Sequence, residues 1–170
     1  MKKALLVVLT FVAYGALAQA NPDSTTYAFK VTGKVKNEKT VTLASLGNYP
    51  VIELNGVNIS CSSKREDRAG SVKAVLLKSI LDSVAFQYER PKMLNQYYFL
   101  LIGSDGYKVV FSFNEIYNTE VGRNVYVVTE IDGKAIEATG SSMLVLSIKD
   151  IKGGSRNMKW LSRVVVCSAE

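Results

Sequence analysis

The sequence predicts an α+β domain with a mixed or antiparallel β core and few, short helices. Three observations carry this. Most apolar residues fall in short strand-like runs; two Asp-Gly pairs, Asp105-Gly106 and Asp132-Gly133, join such runs as hairpin turns; and only brief stretches show helical spacing.

Residues 27–31 alternate and form a first strand that Gly33 ends. Residues 40–43 are a second short run, leading into one helical turn over 44–47 stopped by Gly47. A strand over 49–54 precedes a polar, charged stretch, 55–70, which reads as the longest loop, its Lys64 to Arg68 run a solvated tip. Val75, Leu76, Ile80, Leu81 and Val84 are spaced for an amphipathic helix over 76–84, the main helix of the chain. Residues 97–102 are nearly continuous apolar sequence, as in a strand buried on both faces, and turn through Asp105-Gly106 into 107–111. Ser112 and Glu115 have capping-box spacing and open a helix through Tyr117. A second hairpin runs from 124–131 to 134–138 and is broken by Gly140; strands over 143–148 and 160–166 flank the loop 150–157. Tyr107, Phe111 and Trp160, at strand spacing, are expected in the core.

The amino-terminal 20 residues have the order of a secretory signal peptide: Lys2-Lys3, an apolar run, then small residues at Ala18 and Ala20. The run is shorter than the roughly 18 apolar residues a membrane span requires, so no stable anchor is expected after cleavage, which fits Ala18 or Ala20 equally. The chain divides into a leader (1–20), a polar stretch with the first strand (21–39) and one domain (40–170), and a periplasmic or secreted location follows. Loss of Lys2 and Lys3 takes the formal charge from +6 to +4. The remaining basic residues are interspersed with acids, which argues against a nucleic-acid partner.

The chain has no histidine. Histidine-dependent zinc sites, triads and general acid–base catalysis are thereby excluded. Its two cysteines, Cys61 and Cys167, would meet an oxidising compartment after export. A bridge between them would close a loop of roughly 100 residues, worth ~4.7 kcal/mol in the chain-entropy model. The sequence leaves pairing open.

The order of several motifs adds a family resemblance. They are the Leu-rich segment Val72 to Leu81, the Asp105-Gly106-Tyr107 hairpin followed by Phe111-Ser112 and Glu115-Ile116, and Asp132-Gly133-Lys134 before Gly140. Asp150, Arg156 and Lys159-Trp160-Leu161 then lead into Arg163 to Val166. Over roughly residues 40–166 this resembles the oxidoreductase molybdopterin-binding domain of the sulfite-oxidase-like family. The resemblance implies that fold and a loop-built cleft for molybdenum-molybdopterin. Cys61 falls where the family places its metal thiolate, a soft ligand suited to the metal. Arg156 or Lys159 falls where the pterin phosphate is held, with Ser155 and the Gly153-Gly154 backbone nearby.

On this reading the protein is an exported, oxidoreductase-like molybdopterin domain, serving a small molecule or a redox or protein partner. No residue is assigned to catalysis. A second reading is a non-enzymatic periplasmic module on the same fold, binding a ligand or a protein. The lysine-led leader suits it, because a general secretory route carries unfolded chains that cannot hold a buried pterin. A β-barrel carrier is a third.

Overall fold

The structure, a computed structural model, describes residues 27–62, 64, 66–140 and 142–169. The expected leader, its cleavage sites and the polar stretch before Tyr27 lie outside the described residues. β1 (Ala28–Gly33) and β2 (Lys39–Thr42) form an antiparallel pair. β2 runs directly into α1 (Leu43–Leu46), whose first turn is closed reciprocally by Thr42 and Ser45. β3 (Val51–Asn58) and β4 (Arg68–Leu76) make a long hairpin, and α2 (Leu77–Asp82) follows β4 without a break. β5 (Tyr97–Gly103) and β6 (Lys108–Ser112) are the first Asp-Gly hairpin. α3 (Phe113–Asn118) starts on the expected capping box, with the Glu115 N–H donating to Ser112 Oγ and the Ser112 N–H to the Glu115 carboxylate. β7 (Val125–Ile131), β8 (Lys134–Ala135), β9 (Val145–Ser147) and β10 (Leu161–Ser168) complete the chain.

These strands form two sheets. The first, in the order β2-β1-β10-β5-β6, is mixed: β1 lies parallel to β10, and the other pairs are antiparallel. The second, β3-β4-β7 with β8 and β9 both on the outer edge of β7, is antiparallel. The period-two rule then divides the apolar side chains between two clusters. Val75, Val125 and Val127 pack with Phe29, Phe99 and Val164 in a core shared by both sheets. The alternate residues Ala74, Tyr126 and Val128 pack with Ile136 and Leu146 on the second sheet's other side. β7 is therefore covered on both faces, which explains its unbroken apolar run.

The expected α+β class, with a mixed and an antiparallel sheet and short helices, is the observed one. Several elements differ. The stretch 55–70 is strand at both ends, because β3 extends to Asn58 and β4 begins at Arg68, leaving a shorter loop, the tip over 59–67. The helix expected from residue 76 starts at Leu77, since Val75 and Leu76 pair with Val127 and Tyr126. It is no longer than α3. The second arm of the Asp132-Gly133 hairpin stops at Ala135 and becomes a 3-10 turn, Ile136–Thr139, whose Ile136 is driven into the second cluster. β5 has Tyr98 and Leu100 half-exposed, so only one of its faces is fully buried. No described helix is long and apolar enough to cross a membrane.

Candidate functional site: a cleft floored by Cys61

The tip of the β3–β4 hairpin is held from within and from below. Asn58 Oδ1 accepts from the Ser60 and Asp67 N–H groups at 3.0 and 3.1 Å, closing the base of the tip. Ser60 Oγ accepts from the Ser62 N–H at 3.1 Å, which fixes the turn around Cys61. From the loop before β10, Asn157 reaches up to this turn while 2% exposed. Its Nδ2 donates to the Ser60 carbonyl at 2.7 Å, and its Oδ1 accepts from the Ser147 N–H at 2.9 Å. Gly154 has φ +85° and lies so close that a β-carbon would stand 2.7 Å from the Ser62 carbonyl oxygen. Glycine is required there for both its dihedral and its bareness.

The same loop then delivers Lys159 and Trp160 beside Cys61. Trp160 has φ +59°, a conformation that costs a bulky residue roughly 1–3 kcal/mol. It is held by the Ser104 N–H, which donates to its carbonyl at 2.9 Å, and by the Leu161 N–H, which donates to Met143. A bulge at Ser162, where the β10–β5 register shifts between Leu161 and Arg163, continues the bend. Strain, bulge and clamp together turn the start of β10 toward the hairpin tip.

Two cavities meet at Ser60, Cys61, Lys159 and Trp160. One, of about 360 Å³, is walled by Ile131, Leu144, Asp67 and Ser142. The other, of about 380 Å³, is walled by Ser62, Asp105, Tyr107 and Asn157. Among the described residues, the charged side chains lining the pair are Asp67, Asp105 and Lys159. Ser142 is 2% exposed, and its hydroxyl has no hydrogen-bond partner among the described residues.

Cys61 is free and exposed as a residue, yet burial of its sulfur is the largest influence on its thiol and pushes the pKa up. The Lys159 ammonium and backbone N–H pull the other way, and Asp105 adds to the rise. The thiol is the resting form at neutral pH. Cys167 is also free. It sits on β10 six residues beyond Leu161, about 20 Å along the strand at ~3.3 Å per residue. The Cys61 turn packs against the start of that strand, so the two sulfurs are far outside the ~7 Å Cα separation a disulfide tolerates. The bridge that the sequence left open is not made.

The residues expected around the cofactor are divided among different surroundings. Cys61 and Lys159 converge. Arg156 does not join them: it donates to both oxygens of Asp150 at 2.6 and 2.8 Å and to Glu115 at 2.8 Å. Its guanidinium lies 4.4 Å from the centre of the Phe111 ring. Burial acts to raise the Asp150 and Glu115 carboxyls, but hydrogen bonds, from Arg156 among others, outweigh it and hold both below the ordinary carboxylate range. Ser155 is turned so that its carbonyl accepts from the Tyr107 hydroxyl at 2.6 Å. Gly153 and Gly154 open onto a third cavity, of about 340 Å³, whose Arg68 is paired with Glu66.

Tyr107 is 45% exposed and Trp160 half-buried in the cleft, so of the three aromatics expected in the core only Phe111 is there. Asp67, Asp105, Ser142 and Asn157 were not legible as site residues. Each is a common turn or loop residue until the fold brings it to Cys61.

The fold and the cleft define a class: an α+β domain of one mixed and one antiparallel sheet, with a thiol on a clamped hairpin tip. No family model matches the sequence, and no curated protein matches it. Among solved structures, the chain is similar to the sulfane dehydrogenase SoxCD from Paracoccus pantotrophus, with a TM-score of 0.56 and 12% identity over 82% of this chain and 38% of that one. This is a likeness of fold, and it spans well under half of that chain's length.

Proposed function

We propose that the protein is an exported, non-enzymatic module on a sulfite-oxidase-like fold, binding a small ligand in the Cys61 cleft. The fold likeness supports the family part of this reading, and the lysine-led leader supports export. The observation that carries the rest is the charge of the cleft.

A molybdopterin brings an anionic dithiolene and an anionic phosphate. Cys61 suits the metal as a soft donor, but the remaining groups do not suit the pterin. Among the described residues Lys159 is the one cation lining the two cavities, against two carboxylates, Asp67 and Asp105. Arg156 is closed into its own ion pairs, and the two glycines face a different cavity. A dianionic phosphate would meet like charge with a single counter-charge, which is unfavourable in a partly desolvated cleft. The residues present do not fit the cofactor, and no reaction follows from it.

They do suit a smaller molecule with apolar and polar parts. Such pockets pair an apolar lining with a few convergent polar groups, here Lys159, Ser142 and the carboxylates. Native mass spectrometry of protein purified from its own compartment tests this. The wild type should carry a small non-covalent adduct that denaturation releases and Lys159→Met fails to retain. A bare mass at every condition, or an adduct indifferent to Lys159, overturns the reading.

A further inference from the structure

The cavity on the Asp67 side of the cleft has a composition that selects among small molecules, and the inference from it rests on the binding reading above. Asp67 and Lys159 carry opposite charges in one cavity of about 360 Å³. Among the described residues neither makes an ion pair. The same lining brings apolar side chains, Ile131, Leu144 and Trp160, together with the polar Ser60 and Ser142. Ser142 adds a buried hydroxyl with no partner among the described residues, as do only the Tyr117 and Ser168 hydroxyls there. Buried hydroxyls are normally satisfied, and an orphan lining a cavity leaves a bond that a ligand atom or a water can complete. Cys61, protonated and on the floor, contributes a soft, uncharged surface.

We propose that this cavity takes a zwitterion with an apolar body, an α-amino acid of the leucine type. Its carboxylate meets Lys159 and the Ser142 hydroxyl, which donates to it; its ammonium meets Asp67; and its side chain lies against Ile131, Leu144 and Trp160. An anion alone would face Asp67, and a cation alone would face Lys159. A ligand carrying both charges satisfies both, and the cavity volume accommodates it.

The test uses the mature chain with Cys167→Ser, so that Cys61 is the only thiol, and three probes of one shape. L-leucine carries both charges, L-leucinamide lacks the carboxylate, and 4-methylpentanoate lacks the ammonium. Calorimetric titration and the rate of Cys61 alkylation by iodoacetamide are read together. Leucine should bind and slow alkylation, and each analogue should bind about tenfold to a hundredfold more weakly, the loss of one charge-assisted hydrogen bond. Lys159→Met should abolish the preference for leucine over leucinamide, and Asp67→Asn the preference over 4-methylpentanoate. Ser142→Ala should also weaken leucine while folding at least as well as the parent, because it removes an unsatisfied buried hydroxyl. Equal binding of leucine and leucinamide, or no protection of Cys61 by any probe, overturns the proposal. If the probes are silent while the native protein still retains a Lys159-dependent adduct, the zwitterion falls and the binding function stands. If no adduct is found either, both fall.

Discussion

Replacing Asn157 by alanine should loosen the hairpin tip and expose Cys61 at the same time. Asn157 is 2% exposed and joins β9 to the Cys61 turn through the Ser147 N–H at 2.9 Å and the Ser60 carbonyl at 2.7 Å. Alanine leaves a buried donor and a buried acceptor unpaired, at roughly 1–3 kcal/mol each. The Ser60 carbonyl borders the cleft and regains some water, so the expected net loss is ~2–4 kcal/mol. With a urea dependence of ~2 kcal/mol per molar, the unfolding midpoint should fall by ~1–2 M. In the Cys167→Ser background, iodoacetamide should label Cys61 faster under native conditions, because the turn that shelters its sulfur loses its lower support. Asn157→Asp should not rescue: it keeps an acceptor for Ser147 but sets a second oxygen against the Ser60 carbonyl. An unchanged midpoint together with an unchanged labelling rate would refute the clamp.

Gly154→Ala should destabilise the chain by ~1–3 kcal/mol, seen as a lower melting temperature, since it combines φ +85° with a contact to Ser62 at 2.7 Å. The alkylation rate of Cys61 against pH should rise with a midpoint above that of a free cysteine; Lys159→Met should move it higher and Asp105→Asn lower, following the sign of each neighbour. Asp150 and Glu115 have folded pKa values below their ordinary ones, so their contribution is present above about pH 4 and is lost as pH falls through the depressed values. Arg156→Met should therefore lower the melting temperature most near neutrality, with the gap to wild type closing in acid; a gap that widens on acidification would contradict this. Thiol titration of the denatured, unreduced protein should find both cysteines free; one blocked pair would contradict the separation along β10.

The parts of the fold legible in the sequence are those whose signal is local. The Asp-Gly turns at 105–106 and 132–133 and the Ser112–Glu115 box each specify a backbone shape within four residues. The apolar first half of β3 was legible as a strand over 49–54, but its extension to Asn58 was hidden, because Asn55, Gly56 and Asn58 are residues that strands usually avoid. β4 and α2 are continuous in sequence and share the Leu-rich segment, so the change from strand to helix at Leu77 is decided by pairing with β7. Cys61 and Lys159 were singled out and do meet. Arg156 was singled out for its charge, and that charge is taken up by Glu115, 41 residues away, and by Asp150. Ser142 gives no signal in sequence, since its importance is an absent partner.

On the binding function proposed above, the Cys61 cleft is the wrong place for a pterin. Molybdenum and pterin should be measured per protein chain, side by side for wild type and Cys61→Ser, each purified from the native compartment of cells with intact cofactor synthesis. Both proteins should hold neither beyond background. Stoichiometric molybdenum and pterin in the wild type, lost in Cys61→Ser, would contradict the account and restore the oxidoreductase reading.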